Sequence, residues 1–247
     1  MKSLLHGIFT AFSMYSTIPM PQITWNKSSM NHTFCFFPLI GLLIGIMVYA
    51  WVFLGNLLSL SPFFFACGMV AIPLFISGGI HLDGLIDTSD ALSSNQALER
   101  KLEILKDPHV GAFGVMSCSL YFIFQFGISA QFFENTIFLP IVCIGFILSR
   151  TLGALSVINF KIAKSSGLAY VFGTNSNKKK VRIVLYCYLI LLFSMALMTH
   201  FMMGCSLIFV CTTLFFCYKK MAYKQFGGIT GDLAGYFIVL LELFILL

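Results

Sequence analysis

Three aspartates, Asp83, Asp87 and Asp90, fall within eight residues of a 247-residue chain that holds only nine acidic residues. Their spacing is i, i+4, i+7, and on a helix turning about 100° per residue those positions share a face. Three carboxylates on a common face repel one another, which raises their pKa values unless a cation sits among them. Oxygen-only donors select a hard ion such as Mg2+ or Mn2+ over zinc. Beside basic residues, such an ion suits transfer of a phosphoryl group from a pyrophosphate-linked donor. It would neutralise the leaving phosphate and orient an attacking hydroxyl, with one carboxylate as general base. Asp83, Asp87 and Asp90 are therefore candidate catalytic residues and candidate metal ligands.

The stretch that must position them, residues 78–114, carries six of the nine acids. Gly84 leaves room there for a bulky substrate close to the backbone. His81 lies two residues before Asp83, about 160° away on a continuous helix. A catalytic role for it requires the helix to start later; a satisfied interfacial histidine is the alternative. Ser93, Ser94 and Asn95 break the helix and offer an N-cap to a second one over 96–106. Leu98, Leu102 and Leu105 share one face of that second helix, as a lid or wall, while Glu99 and Glu103 read as solvated surface charges. Asp107-Pro108-His109 ends it, and Asp107 is placed to return to the site as a fourth acid.

Long apolar runs flank this stretch. The chain is 59% hydrophobic and 10% charged, with mean hydropathy +0.94, against about 25% charged residues in soluble domains. That excludes an ordinary soluble domain and points to an all-α polytopic membrane bundle. An outer-membrane barrel would show short alternating segments instead. Seven spans are expected, at 34–57, 62–80, 111–132, 137–158, 183–201, 203–218 and 233–247, the sixth short and open to an earlier start. Residues 1–247 read as a single membrane-embedded catalytic domain. Residues 1–20 have the spacing of an amphipathic interfacial helix, with a signal peptide as the competing reading. The eight cysteines are scattered through apolar runs and read as small buried hydrophobes rather than disulfides or a zinc site.

With a cytoplasmic N-terminus, the inside segments 1–33, 81–110, 159–182 and 219–232 hold 14 of the 15 Lys and Arg, Lys27 among them. The positive-inside rule then places the acidic stretch, the lysine-rich stretch and the last connection on the cytoplasmic face. Gly-Gly-Ile-x-x-Asp occurs at 78–83 and again at 227–232, so Asp232 is expected level with Asp83 as a further metal ligand. Gly228, Thr230 and Gly231 of the second copy are candidate substrate-binding residues, as are Lys106 and His109. Lys161 and Lys164 are placed to meet an anionic substrate, whereas Lys178, Lys179 and Lys180 read as a lipid-facing basic patch. Arg150 is the remaining basic residue and lies inside a span. Charge there is costly, so it is either a phosphate ligand or a structural anchor.

The sequences GGIHLDGLIDTSDAL, LEILKDPHVGAFGV and GGITGDLAG, with TIPMP near the N-terminus and FPLIGLLIG after it, resemble the cobalamin-5'-phosphate synthase family across essentially the whole chain. The resemblance implies a Mg2+-dependent transferase of the bacterial inner membrane, working at its cytoplasmic face. It would join adenosylcobinamide-GDP to alpha-ribazole or its 5'-phosphate and release GMP, in the last assembly step of coenzyme B12. It implies no nucleic-acid partner and allows a homo-oligomer or association with other cobalamin-assembly enzymes. CDP-alcohol phosphotransferases are the nearest alternative, but the A-R pair and terminal spacing of their motif are missing. An aspartate-rich membrane prenyltransferase is weaker, and an ion-coupled transporter would place acids near the bilayer midplane rather than at one face.

Overall fold

The computed structural model describes residues 2–21, 32–133, 136–164, 167, 170–172 and 177–247, with the backbone alone for 2 and 3. Lys27 lies outside these. Ten α-helices follow one another among the described residues: α1 (Lys2–Tyr15), α2 (Thr33–Leu57), α3 (Pro62–Ser77), α4 (Ile80–Ser93), α5 (Leu98–Ile104), α6 (Ala112–Gln131), α7 (Leu139–Asn159), α8 (Lys178–Thr199), α9 (Phe201–Phe226) and α10 (Gly231–Leu246). No strand occurs among the described residues; a single parallel bridge joins Ile162 to Ile229. The all-α expectation holds.

Local chemistry sets the ends. Ser61 accepts a hydrogen bond from Phe64 N and Pro62 opens α3, the residue types that satisfy or dispense with free N–H groups at a helix start. Asn177 caps α8 in the same way through Lys180 N. Near the N-terminus, Thr17 donates its hydroxyl to Phe75 O and its backbone N–H to Ile76 O. The TIPMP stretch thus ties α1 onto the last turn of α3.

The bundle is organised around α7, whose most apolar stretch is 89% buried, against 17% for α6 and 22% for α8 and α9. Helix α2 crosses α7 closely because Gly41 lets the chain pass against the Phe146 carbonyl, as small residues do at membrane-helix crossings. Five helices, α2, α6, α7 with its leading turn, α8 and α9, are long and apolar enough to cross a membrane. The pair α3 and α4 makes a sixth only as one broken span, bent by 93°. Seven crossings are more than these lengths support, because α3 and α10 have 16 residues each, about 24 Å at 1.5 Å per residue. Helix α4 packs along α10 and α6. Helix α9 starts earlier than the expected sixth span and carries Lys219, Lys220 and Lys224 on its last turns. Cys35 and Cys211 are buried as expected, but Cys67, Cys187, Cys205 and Cys217 are exposed, on faces that point away from the core.

Arg150 settles as the structural anchor. It is 1% exposed and bonds to Glu242 of α10, to the Ser149 hydroxyl and to Phe146 O. The guanidinium is thereby committed inside the bundle, so the phosphate-ligand reading is corrected. Removing one partner of such a pair leaves a bare charge in an apolar interior. Glu242→Leu is expected to destabilise the protein by about 3–5 kcal/mol, and adding Arg150→Met to recover most of that loss. Thermal unfolding in detergent of the two single variants and the double variant checks this.

Candidate active site

The repeated Gly-Gly-Ile-x-x-Asp builds the same local device twice. Gly78 ends α3 and Gly227 ends α9, both left-handed with φ of 63° and 70°, a conformation open to glycine at little cost. The following N–H turns back to the helix just finished, Gly79 to Leu74 O and Gly228 to Ala222 O. A new helix then starts with an acid in its first turn, Asp83 in α4 and Asp232 in α10.

The two new helices meet at their beginnings. A Cβ on Gly84 would strike the Asp232 carbonyl, and one on Gly235 would come within 3.1–3.2 Å of the His81 backbone. Gly84 therefore admits α10 rather than substrate, which corrects its expected role. The connection after α7 joins the same end: Ile229 N donates to Lys161 O, Ala163 N to Ile229 O, and Lys161 N to the Tyr223 hydroxyl. Gly228 is used up here, since any side chain on it would run into Lys161 O. Helix α5 docks alongside through Lys101, which donates to Gln225 of α9.

These contacts enclose a cavity of about 260 Å3. Its exposed or half-buried mouth holds Asp83, Lys106, Lys164, Gly231 and Asp232, and its buried or half-buried lining includes Tyr15, Phe34, Phe37, His81, Val157, Thr230 and Ile238. Asp87 adjoins the mouth. Burial, and then repulsion from Asp83, Asp232 and Asp90, push its pKa up to about 7, opposed by Lys164. Burial lowers the Lys164 pKa, while Asp232 and Asp87 oppose that. Thr230 caps α10 by accepting from Leu233 N and turns its hydroxyl toward Asp232. Residues from three distant segments thus line one cavity.

Four expected site residues stand elsewhere. Asp90 accepts backbone N–H groups with both oxygens, from Gly111 and Gly114 at 2.8 Å each, and so fastens α4 to the start of α6. Asp107 stays exposed and turns to His109, accepting from its N–H at 2.9 Å and meeting Nδ1 at 2.7 Å. Those bonds hold the Asp107 pKa below the ordinary value, and they take both residues out of the cavity. Lys161 is exposed and contributes its backbone. The N-cap expected from Ser93, Ser94 and Asn95 is absent, since α5 begins after Ala97 with no side-chain cap.

Among the described residues, no three His, Cys, Asp or Glu side chains close into a metal cage. Mg2+ rarely uses one; it takes one or two carboxylates, waters and substrate phosphate oxygens. Asp83, Asp87 and Asp232, half-open and mutually repelling, fit that demand without Asp90 or Asp107.

A profile of the cobalamin-5-phosphate synthase family matches residues 7–247. The chain belongs to the cobalamin-5-phosphate synthase family. It is 44% identical over 240 residues to the adenosylcobinamide-GDP ribazoletransferase of Lachnoclostridium phytofermentans, covering 97% of this chain and 91% of that protein. It is 34% identical to the protein of that name from Clostridium botulinum (98% and 96% covered) and 32% identical to that from a Geobacillus species (96% and 92%). No solved structure matches the chain. In this cobalamin-5-phosphate synthase family member, the aromatic wall was missed by sequence reasoning, because Tyr15, Phe34 and Phe37 look like any other apolar residues of their helices. Glu242 was likewise visible only as a distant acid, with nothing to pair it with Arg150.

Asp90 and Asp83 are expected to behave differently. Asp90→Asn forfeits a charged acceptor for two N–H groups, worth about 1.5–3 kcal/mol, and is expected to lower thermal stability while the folded fraction still turns over. Asp83→Asn is expected to abolish turnover with melting unchanged. Melting and specific activity measured on the same preparations separate the two.

Proposed function

We propose that this chain is an adenosylcobinamide-GDP ribazoletransferase of the bacterial inner membrane, with its site on the cytoplasmic side. The observation that carries the reading is the family match over residues 7–247, together with acids and lysines gathered at the mouth of one cavity. The substrates would be adenosylcobinamide-GDP and alpha-ribazole or its 5'-phosphate, in the last assembly step of coenzyme B12. The multi-pass fold fits a bilayer protein, and the basic residues gathered on the segments at the site end support the cytoplasmic orientation. Residues 1–247 would act as one catalytic domain.

Asp83, Asp87 and Asp232 would hold Mg2+, which supplies charge neutralisation on the pyrophosphate and its leaving group. Lys106 and Lys164 draw the anionic groups to the mouth. One of the carboxylates accepts the proton of the attacking ribose hydroxyl. The hydroxyl oxygen bonds to the corrinoid-linked phosphorus, the bond between that phosphorus and the bridging oxygen breaks, and GMP leaves with the electron pair. Thr230 keeps the start of α10 closed and Asp232 oriented. Thr230→Ala removes a cap worth about 1 kcal/mol and is expected to be mild.

Membranes containing the protein, given adenosylcobinamide-GDP and alpha-ribazole 5'-phosphate, are expected to release GMP with Mg2+ and to stop with excess chelator. No release from folded protein would return the case to a lipid phosphotransferase. The acid cluster also sets a pH dependence. A raised Asp87 pKa of about 7 means that the group is protonated below neutrality and ionised above it. Apparent Mg2+ affinity, measured by titration from pH 5.5 to 8.5, is expected to fall by up to tenfold per unit below about 7 and to level off above it.

A further inference from the structure

A second cavity, of about 150 Å3, opens between α7, α8 and α9 and shares no lining residue with the first. Helix α7 divides the two: Gly153, Ala154 and Val157 face the site, while Leu152, Leu155 and Asn159 face the second cavity. The second cavity is a groove with a direction. Its α7 side runs from Leu152 to Asn159, about 10 Å at 1.5 Å per residue. Beside Asn159 lie Tyr186 of α8 and Phe215 of α9. That end is the one that carries the site, because Lys161, just past α7, donates its N–H to the Tyr223 hydroxyl of α9.

Cations gather one turn beyond this end. Arg182 precedes Tyr186 by four residues on α8, and Lys219 follows Phe215 by four on α9, so each stands on the face that its helix gives to the groove. Aromatic rings place Lys219: its Nζ is 5.2 Å from the centre of Phe160, which packs on Phe215 at 4.9 Å. No acid occurs on α7, α8 or α9, and among the described residues neither Arg182 nor Lys219 forms an ion pair. Helix α8 also opens with Lys178, Lys179, Lys180 and Arg182 in its first five residues. Cations there work against the helix dipole, which favours negative charge at an N-terminus. The protein therefore assembles positive charge at the head of an apolar groove and supplies nothing to balance it.

We propose that this groove binds one anionic phospholipid, with part of an acyl chain between α7, α8 and α9 and its phosphate at Arg182 and Lys219. A slot of this size takes a chain of methylenes but not a helix, which is about 10–12 Å across with its side chains. A zwitterionic headgroup would bring a further cation to the cluster, so an anionic one is selected. Bound there, the lipid joins α8 and α9, whose most apolar stretches are each 22% buried, to α7 beside the Lys161–Tyr223 bond. The site is independent of the transferase reading.

The test uses the full chain in neutral detergent, with bound lipid counted by native mass spectrometry. Phosphatidylglycerol is expected to bind at least tenfold more tightly than phosphatidylcholine of the same chains, and glycerol phosphate is expected not to displace it. Arg182→Gln with Lys219→Gln removes the charge, and is expected to weaken phosphatidylglycerol about thirtyfold, the equivalent of about 2 kcal/mol. Thr212→Trp, at an exposed residue that lines the groove, fills it with the cations intact and is expected to weaken the same lipid about tenfold. Equal binding of the two lipids means a general lipid coat and overturns the proposal. Displacement by glycerol phosphate overturns it in favour of a free anion, and a lipid-free dimer overturns it in favour of a second copy. Unchanged binding by Thr212→Trp puts the chain elsewhere and overturns it too. Should the variants misfold, the two lipids compared on the wild type decide alone.

Discussion

The site depends on forcing like charges together. Asp83, Asp87 and Asp232 would separate if their helices were free, since each carboxylate raises the energy of ionising the next. What holds them is the crossing of α4 and α10, where Gly84 and Gly235 remove the side chains that would keep the backbones apart. Around that crossing the helices are fixed by independent fastenings. Asp90 binds α4 to α6, and Arg150 with Glu242 locks α10 to α7. Neither fastening lines the cavity, yet both hold the acids in place.

This division clarifies why one short motif carries residues of unlike purpose. On α4, successive faces serve the cavity lining through His81 and Asp83, the acid cluster through Asp87, the neighbouring helix through Gly84, and the scaffold through Asp90. A helix packed on several neighbours shows a different face to each of them.

Much of this was legible before any coordinates. The apolar helices followed from hydrophobic runs, though not the number of crossings, and the doubled Gly-Gly-Ile-x-x-Asp marked two like helix starts, with Asp83 and Asp232 each in a first turn. Local periodicity could place Asp90 on the face of Asp83 and Asp87, but not reveal that Gly111 and Gly114 present N–H groups to it. The same limit applies to Arg150, whose partner lies on α10, and to Gly84, where emptiness reads equally as room for substrate or for another helix. Asp107 looked like a returning ligand because nothing in a linear pattern shows a side chain folding back on its own turn. In each case the deciding partner came from a distant segment or from the backbone, and neither leaves a mark in residue spacing.

The bridge between Ile162 and Ile229 and the crossing of α4 with α10 join parts that lie far apart in the chain. Pairings of that kind carry a large loop-closure cost and form late. During synthesis, α4 emerges with its acids long before α10 exists to receive them. The motif richest in chemistry therefore stays incomplete until α10 has been made and has found its place beside α4.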